Sequence, residues 1–354
     1  MNGEKKRALI TGVTGQDGAY LAKFLLDKDY EVFGIVRRVS TPNFWRLQDI
    51  GVLDKITLIS ADMSDMSSLA EAIHRSKPNE IYNLAAQSFV GSSFDQPLQS
   101  ADINGVGLLR ILEIVRSFDR SIRIYQASTS ELYGSSCDED GTQKETTILK
   151  PNSPYAVAKL FALEISRVYR ESYGMFISNG ILFNHESPLR GLEFVTRKIT
   201  NEVAKIKLGL SNELRLGNLD SKRDWGYAKE YVESMWRILQ HDKPDDFVIA
   251  TNETHSVREF VELAFQSAGL DWKLYVRTDS QYKRPYELTY LKGDYSKAKR
   301  ELGWEPKTKF HELVKMMVEA DLNRWKRHLN GETFGWDAPN FPGNTKYLYR
   351  AKDK

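Results

Sequence analysis

Residues 7–18 read RALITGVTGQDG, an apolar run followed by glycines at positions 12, 15 and 18. The apolar residues predict a buried strand over 7–10, and a helical pattern follows over 19–29. Glycines in such a turn permit a tight bend and a close approach of a diphosphate, while the helix start supplies amide donors. We therefore predict a phosphate-binding turn of Rossmann type, with cofactor contacts from Gly12, Thr14, Gly15, Gln16, Asp17 and Gly18.

Short apolar runs and longer helical patterns keep alternating up to residue 183. This alternation predicts a parallel, doubly wound sheet with helices on both faces. The further predicted strands are 31–36, 56–60, 80–84, 122–127 and 176–183, and the further predicted helices are 67–75, 105–118 and 154–173.

After residue 184 the alternation loosens, which indicates a second, smaller lobe. Helical patterns occupy 194–208, 229–239, 257–268, 297–301 and 311–327, with a short strand at 214–216. We expect an α/β fold in which 1–183 form the dinucleotide-binding domain and 184–327 mainly form a mixed α/β substrate lobe. Some later segments should return to the first domain, and 328–354 form a C-terminal tail. Ligands of open α/β folds bind at the carboxyl edge of the sheet, where this lobe should lie.

The composition excludes several classes of protein. Lys plus Arg total 50 against 48 for Asp plus Glu, and this balance argues against a nucleic-acid partner. Cys137 is the only cysteine, so no internal disulfide is possible and a cytoplasmic location is expected. No apolar stretch approaches the length of a membrane span, and no cluster of His, Cys and carboxylates predicts a metal site.

Two arginines follow the second predicted strand, where NAD-dependent enzymes carry an acidic residue for the ribose 2′-hydroxyl. Arg37 and Arg38 suit a 2′-phosphate instead, so the sequence favours NADP over NAD. The ends of the third and fourth strands should lie beside the adenine and along the cofactor, respectively, and they supply Asp62, Met63, Leu84, Ala85, Ala86, Gln87 and Ser88.

Hydroxyl and carboxyl groups follow the fifth strand, and a tyrosine and a lysine lie on the next helix. Tyr155 and Lys159 are four residues apart and therefore share a helix face. A nearby ammonium should lower the pKa of the tyrosine, so that it can accept an alcohol proton, while the lysine binds the nicotinamide ribose. Thr129 and Glu131 belong to the segment Ala127-Ser-Thr-Ser-Glu131 and complete the predicted catalytic set.

Together these motifs resemble the extended short-chain dehydrogenase/reductases, and within them the GDP-mannose 4,6-dehydratase family. The resemblance extends to about residue 325, roughly nine-tenths of the chain. It departs from the family pattern at 39–45, which lack a Ser/Asn-rich run, in the short stretch before Arg284, and in the tail after His328. Its specific motifs are Thr129-Ser-Glu131, Asn184-His-Glu-Ser-Pro-Leu-Arg190, Phe194-Val-Thr-Arg-Lys198, Leu216-Gly-Asn218, Lys222-Arg-Asp-Trp-Gly226, Arg284-Pro-Tyr-Glu287 and Leu302-Gly-Trp304.

The resemblance implies a redox-neutral reaction on a GDP-linked sugar, of the kind that supplies GDP-fucose or another deoxyhexose. Tyr155 would take the proton of the sugar 4-hydroxyl, Thr129 would hold that oxygen, and Glu131 would remove the C5 proton and protonate the departing C6 hydroxyl. It also implies that His185 and Arg190 lie on the cofactor side, and that members form homodimers or homotetramers. The implied substrate contacts are Ser88, Thr129, Ser130, Glu131, Asn184, Val195, Lys198, Leu216, Gly217, Arg223, Arg284 and Glu287.

Three other functions remain open at this point. The substrate could be a GDP-heptose or another GDP-hexose, since the lining around C6 cannot be deduced from the sequence. A nucleotide-sugar epimerase or reductase would need Tyr155 and Lys159 but not Glu131. A catalytically idle NADP-binding regulator would need none of the four catalytic residues, so their presence argues against it.

Overall fold

The computed structural model describes residues 5–279, 288–337 and 347–348. The strands are β1 (Arg7–Thr11), β2 (Glu31–Val36), β3 (Thr57–Ser60), β4 (Glu80–Asn83), β5 (Arg123–Ala127), β6 (Ile177–Leu182), β7 (Asn184–Glu186), β8 (Leu214–Leu216), β9 (Lys222–Arg223), β10 (Trp225–Tyr227), β11 (Asp246–Ile249), β12 (His255–Ser256), β13 (Val276–Thr278) and β14 (Tyr347–Leu348). Eight of them form a central parallel sheet in the order β11-β6-β5-β4-β1-β2-β3-β14.

Helices cover both faces of this sheet, and the strands between them are buried. The helices are α1 (Gln16–Asp27), α2 (Trp45–Asp49), α3 (Met66–Ser76), α4 (Ser92–Asp95), α5 (Pro97–Ala101), α6 (Gly107–Phe118), α7 (Pro154–Tyr173), α8 (Val195–Lys207), α9 (Ala228–Gln240), α10 (Val257–Ser267), α11 (Trp272–Tyr275), α12 (Ser296–Leu302) and α13 (Phe310–Leu329). One face packs against α1, α9 and α12, and the other against α3, α6 and α7. The doubly wound parallel fold predicted from the sequence is therefore confirmed.

The helix predicted over 105–118 is the second half of a longer helical run. This run joins α5 to α6 through a π-helical turn, Asp102–Val106. Gly105 lies in that turn, where an added Cβ would come 3.2 Å from the Ala158 carbonyl oxygen of α7. The missing side chain of Gly105 thus permits close packing of this helical run on α7.

Strand β11 and helix α9 come from the second half of the chain, yet β11 extends the central sheet and α9 covers one of its faces. β11 pairs in parallel with β6, and buried residues of α9 such as Met235 pack with α1. Strand β11 was not predicted, because one acidic and three apolar residues between two helices show no alternation of apolar and polar side chains.

The smaller lobe is a separate apolar cluster beyond the carboxyl ends of the strands. Helices α8, α10 and α13 enclose it, with buried Phe260, Phe265 and Met317 among its members. Three two-stranded pairings surround it: β7 with β10, β8 with β13, and β9 with β12.

The C-terminal part of the chain returns to the half of the molecule that holds the central sheet. Trp336 packs edge-on against Trp45 of α2, and β14 pairs with β3 at the edge of the sheet. Within the described ranges, no helix is both long enough and apolar enough to cross a membrane.

Candidate active site

The glycine turn after β1 has no room for side chains. Gly12 adopts φ +68°, and a Cβ there would lie 2.9 Å from the main-chain nitrogen of Ala85. A Cβ on Gly18 would lie 2.4 Å from the Gly12 carbonyl oxygen. Helix α1 begins at Gln16, directly inside the turn, so its unpaired amides face the same space. The turn therefore has the form of a cradle for a diphosphate.

A buried chain of hydrogen bonds aligns the ends of β1, β4 and β5. The Thr11 hydroxyl donates to Asn83 Oδ1 at 2.7 Å and accepts from the amides of Leu84 and Ala85, each at 3.0 Å. Asn83 Nδ2 donates to Gln126 Oε1 at 2.6 Å. These bonds fix the segment after β4 against the glycine turn.

Two clefts flank the glycine turn and share Gly12, Thr14, Ala85 and Ala86. The first, of about 420 Å³, contains these predicted cofactor and catalytic residues: Gly12, Thr14, Gly15, Gln16, Asp17, Gly18, Leu84, Ala85, Ala86, Ser88, Thr129, Glu131, Tyr155, Lys159, His185 and Arg190. The second, of about 400 Å³, runs toward the end of β2 and contains Arg37, Asp62, Met63 and Gln87. Arg38 is exposed and lines neither cleft.

The four predicted catalytic residues line one wall of the first cleft. Ser153 caps α7 by accepting from the amide of Ala156 at 3.1 Å, which starts the helix that carries Tyr155 and Lys159. The Thr129 hydroxyl accepts from the amide of Glu131 at 3.3 Å and starts a single 3₁₀ turn. Two independent caps therefore fix the relative orientation of the set.

The electrostatics of Tyr155 differ from the sequence-based expectation. Burial raises the pKa of Tyr155 to about 12, while a hydrogen bond from Thr129 acts in the opposite direction. Burial also lowers the pKa of Lys159 to about 8, and its ammonium donates to the Ala127 carbonyl at 2.8 Å. The expected lowering of the tyrosine pKa is wrong for the protein alone, because desolvation by burial dominates and the charge of Glu131 also raises the pKa.

A half-buried histidine and aspartate join the glycine turn to β7. His185 Nε2 lies 2.8 Å from Asp17 Oδ2, and Nδ1 lies 2.7 Å from the Phe183 carbonyl oxygen. Both ring nitrogens thus face acceptors, which favours the doubly protonated ring. Burial opposes this charge, but attraction to Asp17 outweighs it and raises the pKa of His185.

The connection after β7 is held by two arginines. Arg190 Nε lies 3.1 Å from a Glu186 carboxylate oxygen. Arg197 is fully buried, pairs with Asp321 of α13 at 2.8 Å, and donates to the carbonyls of Pro188 and Arg190 at 2.8 Å each. Arg197 therefore ties this wall of the cleft to the smaller lobe.

Several buried polar atoms around the clefts have no hydrogen-bond partner within the protein. They are Asn184 Oδ1, Ser128 Oγ and Gln87 Oε1. Because buried polar atoms are normally paired, these three sites suit a bound ligand. Together with the glycine cradle they fit a dinucleotide and a second polar molecule.

The predicted substrate residues are divided between the first cleft and the smaller lobe. Ser88, Thr129, Ser130, Glu131 and Asn184 line the cleft. Val195 and Lys198 lie on α8, Leu216 and Gly217 at the end of β8, and Arg223 on β9, all outside the cleft lining. Arg284 and Glu287 lie outside the described residues.

Several residues that line the clefts were not predicted from the sequence. Arg46 is the most notable, because it is charged and directly follows the segment 39–45 that departs from the family pattern. Ser128 and Phe194 lie inside quoted motifs but were not assigned a role, whereas no local motif marks Arg46. The other unpredicted lining residues include Val90, Ser128, Glu193 and Phe194 in the first cleft, and Asn43, Gln99 and Ile103 in the second.

The part of the chain that the structure describes contains no group of His, Cys, Asp and Glu side chains suited to a metal ion. The single cysteine, Cys137, is exposed and does not line either cleft.

Comparison with known families gives one match over most of the chain. The sequence model described as GDP-mannose 4,6 dehydratase matches residues 9–317. The chain is 51% identical to GDP-mannose 4,6 dehydratase 1 of Arabidopsis thaliana, over 91% of this chain and 91% of that protein. It is 50% identical to the human GDP-mannose 4,6 dehydratase, over 91% and 93%, and 47% identical to that of Yersinia enterocolitica, over 94% and 98%.

Solved structures share the fold at lower identity. A dTDP-glucose 4,6-dehydratase from Bacillus anthracis in complex with NAD superposes with a TM-score of 0.79 at 23% identity, covering 91% of this chain and 98% of that chain. The UDP-glucose 4-epimerase of Thermotoga maritima, with UDP-glucose, gives 0.79 at 23% identity, over 91% and 99%. These likenesses extend the fold assignment to nearly the whole chain.

Proposed function

The chain belongs to the GDP-mannose 4,6-dehydratase family, and on that premise we propose how its cleft converts GDP-D-mannose to GDP-4-keto-6-deoxy-D-mannose. The enzyme is a hydro-lyase that acts on a nucleotide sugar. One observation carries the assignment of residues: Glu131, Tyr155, Thr129 and Lys159 line the same cleft as the glycine turn. An epimerase or reductase has no need of the carboxyl group, whereas an elimination requires one.

We propose that the cofactor is NADP, held with its diphosphate on the glycine turn and its 2′-phosphate beside Arg37. Arg37 lines the second cleft beside Asp62. Burial raises the pKa of Asp62, but hydrogen bonds from Ser64 and the charge of Arg37 outweigh it, so the pKa is lowered. A guanidinium at that position suits a phosphate better than a hydroxyl. When bound, the oxidised nicotinamide would supply the acceptor for the C4 hydride and, once reduced, the donor of that hydride to C6, while C5 would take up a proton that exchanges with solvent.

In the first step Tyr155 accepts the proton of the sugar 4-hydroxyl. Its raised pKa means that the phenol is protonated in the protein alone, so bound positive charge is needed to favour the phenolate. Lys159 lies on the same face of α7 and is held at the Ala127 carbonyl, where it can bind a ribose hydroxyl. Thr129 hydrogen-bonds the phenol and is suited to orient the reacting oxygen.

In the second step Glu131 moves a proton from C5 to the hydroxyl oxygen on C6. The C4 ketone acidifies the C5 proton, which the carboxylate removes; the resulting carboxylic acid then protonates the C6 hydroxyl as it leaves as water. One carboxyl group thus serves as base and then as acid, and it regains its charge within each cycle.

We propose that the nucleotide and diphosphate of the substrate extend from this wall toward the smaller lobe. Asn184 Oδ1 has no partner in the protein and is suited to the sugar or its phosphate. On that side we assign Lys198 and Arg223 to the diphosphate and ribose, with Val195, Leu216 and Gly217 as further substrate contacts. This division corresponds to a dinucleotide domain at 1–183 with returning segments, a substrate lobe mainly at 184–327, and a tail at 328–354.

We also propose that the enzyme is a cytoplasmic homodimer or homotetramer. An apolar groove runs between α5 and α7, and next to it Leu98, Val157 and Phe161 are 85%, 55% and 42% exposed. Monomeric proteins rarely expose a contiguous apolar face of this kind, so a second copy of the chain is the proposed occupant.

Product analysis of two enzyme forms tests the function. In deuterated water the wild-type product from GDP-mannose should lack the C6 hydroxyl and carry deuterium at C5, and a C4 deuterium label should reappear at C6. Glu131→Gln cannot cycle a proton, so it should still oxidise C4 while formation of the 6-deoxy product falls at least about 100-fold. A wild-type product that retains the C6 hydroxyl would contradict the proposal; a GDP-heptose assayed in parallel tests substrate choice.

A further inference from the structure

Helix α2 links the first cleft to the C-terminal part of the chain through two adjacent residues. Arg46 lines the cleft, where Nε donates to the Leu189 carbonyl at 2.7 Å and Nη1 donates to the Thr14 carbonyl at 3.3 Å. Trp45 is buried and packs edge-on against Trp336, with ring centroids 5.4 Å apart. Any shift of α2 therefore moves a guanidinium in the cleft wall.

Arg46 connects two walls that are distant in sequence. Thr14 belongs to the glycine turn, and Leu189 to the connection after β7 that also carries Arg190. The guanidinium fork is rigid and planar, so bonds to both carbonyls fix the width of the cleft between them. Burial lowers the pKa of Arg46 to about 10, which still leaves it protonated at neutral pH.

The segment 334–336 faces Arg197 directly and reaches Arg46 only through Trp45. Phe334 stacks on Trp336 with ring centroids 4.7 Å apart, and Trp336 packs on Trp45. The Arg197 guanidinium lies 5.6 Å from the Trp336 ring and donates to the carbonyls of Pro188 and Arg190. The same indole thus supports Arg46 through Trp45 and faces Arg197 directly.

We propose that Arg46 is a positioning residue for the nicotinamide dinucleotide and that the aromatic segment 334–336 holds it in place. The inference rests on the proposed function, because it assumes that the first cleft receives the diphosphate side of that cofactor. Arg46 keeps the glycine turn and the 188–190 connection at a fixed separation and adds positive charge where the diphosphate binds. Removing either the guanidinium or its aromatic support should loosen cofactor binding before it affects the substrate nucleotide.

Titration of the full-length protein with NADP⁺ and, separately, with GDP tests the role of Arg46. Arg46→Met should raise the Kd for NADP⁺ at least about tenfold, since bonds from a charged group to two carbonyls are lost. Arg46→Lys keeps the charge but not the fork and should raise it by only about threefold. The Kd for GDP should stay within about twofold in both variants, a separation that general damage to the fold would not produce.

A matched control comes from the same region. Arg327 is exposed on α13 and pairs with Glu332, so Arg327→Met should leave the Kd for NADP⁺ unchanged. If Arg46→Met binds NADP⁺ as tightly as wild type, or if the affinities for NADP⁺ and GDP fall in parallel, the role of Arg46 is wrong. A wild-type protein that fails to bind NADP⁺ would instead overturn the proposed cofactor, which separates the two failures.

The support from the tail is tested by a double-mutant comparison. Trp336→Leu should raise the Kd for NADP⁺ by about threefold or more in the wild-type background and by less in the Arg46→Met background, because part of its effect passes through Arg46. Equal effects in both backgrounds, or no effect of Trp336→Leu, would overturn the support assigned to segment 334–336.

Discussion

At the scale of single residues, the site depends on one phenol and one carboxyl with different tasks. Tyr155 is 8% exposed, and burial keeps its phenol protonated in the protein alone. In the proposed mechanism a protonated phenol cannot accept the alcohol proton, so bound positive charge would be needed to favour the phenolate.

Tyr155→Phe tests that assignment. The variant keeps the ring and its packing but has no oxygen to accept the 4-hydroxyl proton, so turnover of GDP-mannose should fall at least about 100-fold. Calorimetric binding of NADP⁺ and GDP should be close to wild type, because the hydroxyl faces the reacting carbon. Retention of more than about a tenth of the wild-type rate would mean that another group is the base.

Cofactor choice is also a property of single residues. Arg37 lines the second cleft, and Arg38 is exposed outside it. Arg37→Ala should raise the Kd for NADP⁺ about tenfold or more while leaving that for NAD⁺ nearly unchanged, because a charged contact to the 2′-phosphate is lost. Arg38→Ala is the matched control and should have a smaller effect. Equal wild-type affinities for NADP⁺ and NAD⁺ would contradict the preference.

At the scale of elements, one ion pair joins the start of α1 to β7. The pKa of His185 is raised despite its burial, because Asp17 attracts the proton, and the pKa of Asp17 is lowered despite burial by the same pair. A raised histidine pKa contributes stability that is fully present below its unfolded value of about 6.5 and is lost as pH rises through the folded value. The lowered aspartate pKa contributes stability above about 3.9 that is lost as pH falls through its folded value.

These signs predict a pH window for the contact. The difference in free energy of unfolding between wild type and His185→Gln should be largest between about pH 4 and 6.5 and should shrink at more alkaline pH. Denaturant unfolding at a series of pH values measures it. Asp17→Asn should abolish the pH dependence of that difference. A difference that stays constant from pH 5 to 9 would mean that the pKa of His185 is the same in the folded and unfolded chain, which would contradict the ion pair.

The same scale explains what the sequence could predict. Helix α7 was predicted with its bounds, 154–173, because a serine cap, a proline and a terminal glycine mark both ends. β11 and the π-helical turn were missed, since their geometry depends on neighbouring strands and on α7. Patterns along the chain specify a helix or strand by its own residues. They do not show which distant segment will extend a sheet.

At the scale of the whole molecule, site residues within local motifs could be predicted from the sequence, whereas residues that reach the cleft through tertiary contacts could not. The glycine turn and the Tyr155–Lys159 pair lie in one cleft, as their motifs suggested. Arg46 was missed because its role depends on Leu189 and Trp336, which lie far along the chain. The pKa of Tyr155 was misjudged for a related reason: spacing reveals a neighbouring charge but not the depth of burial.

Assembly is the remaining property of the whole molecule. The apolar face beside α5 and α7 should mediate association, so Val157→Glu and Phe161→Glu should lower the mass measured by light scattering, because a buried unpaired carboxylate is costly at an interface. Leu274→Glu is the control, since Leu274 is 63% exposed on α11, away from this face. An unchanged mass in both face variants would place the interface elsewhere.

The pairing of β14 with β3 has a consequence for synthesis of the protein. β3 is complete after residue 60, whereas its neighbour on that side is supplied by residues 347–348. A chain emerging from the ribosome can form β1 to β6 before residues 347–348 have been synthesised. During that interval the edge of β3 lacks its partner and is open to other nascent chains. Emergence of residues 347–348 therefore covers this edge late in synthesis.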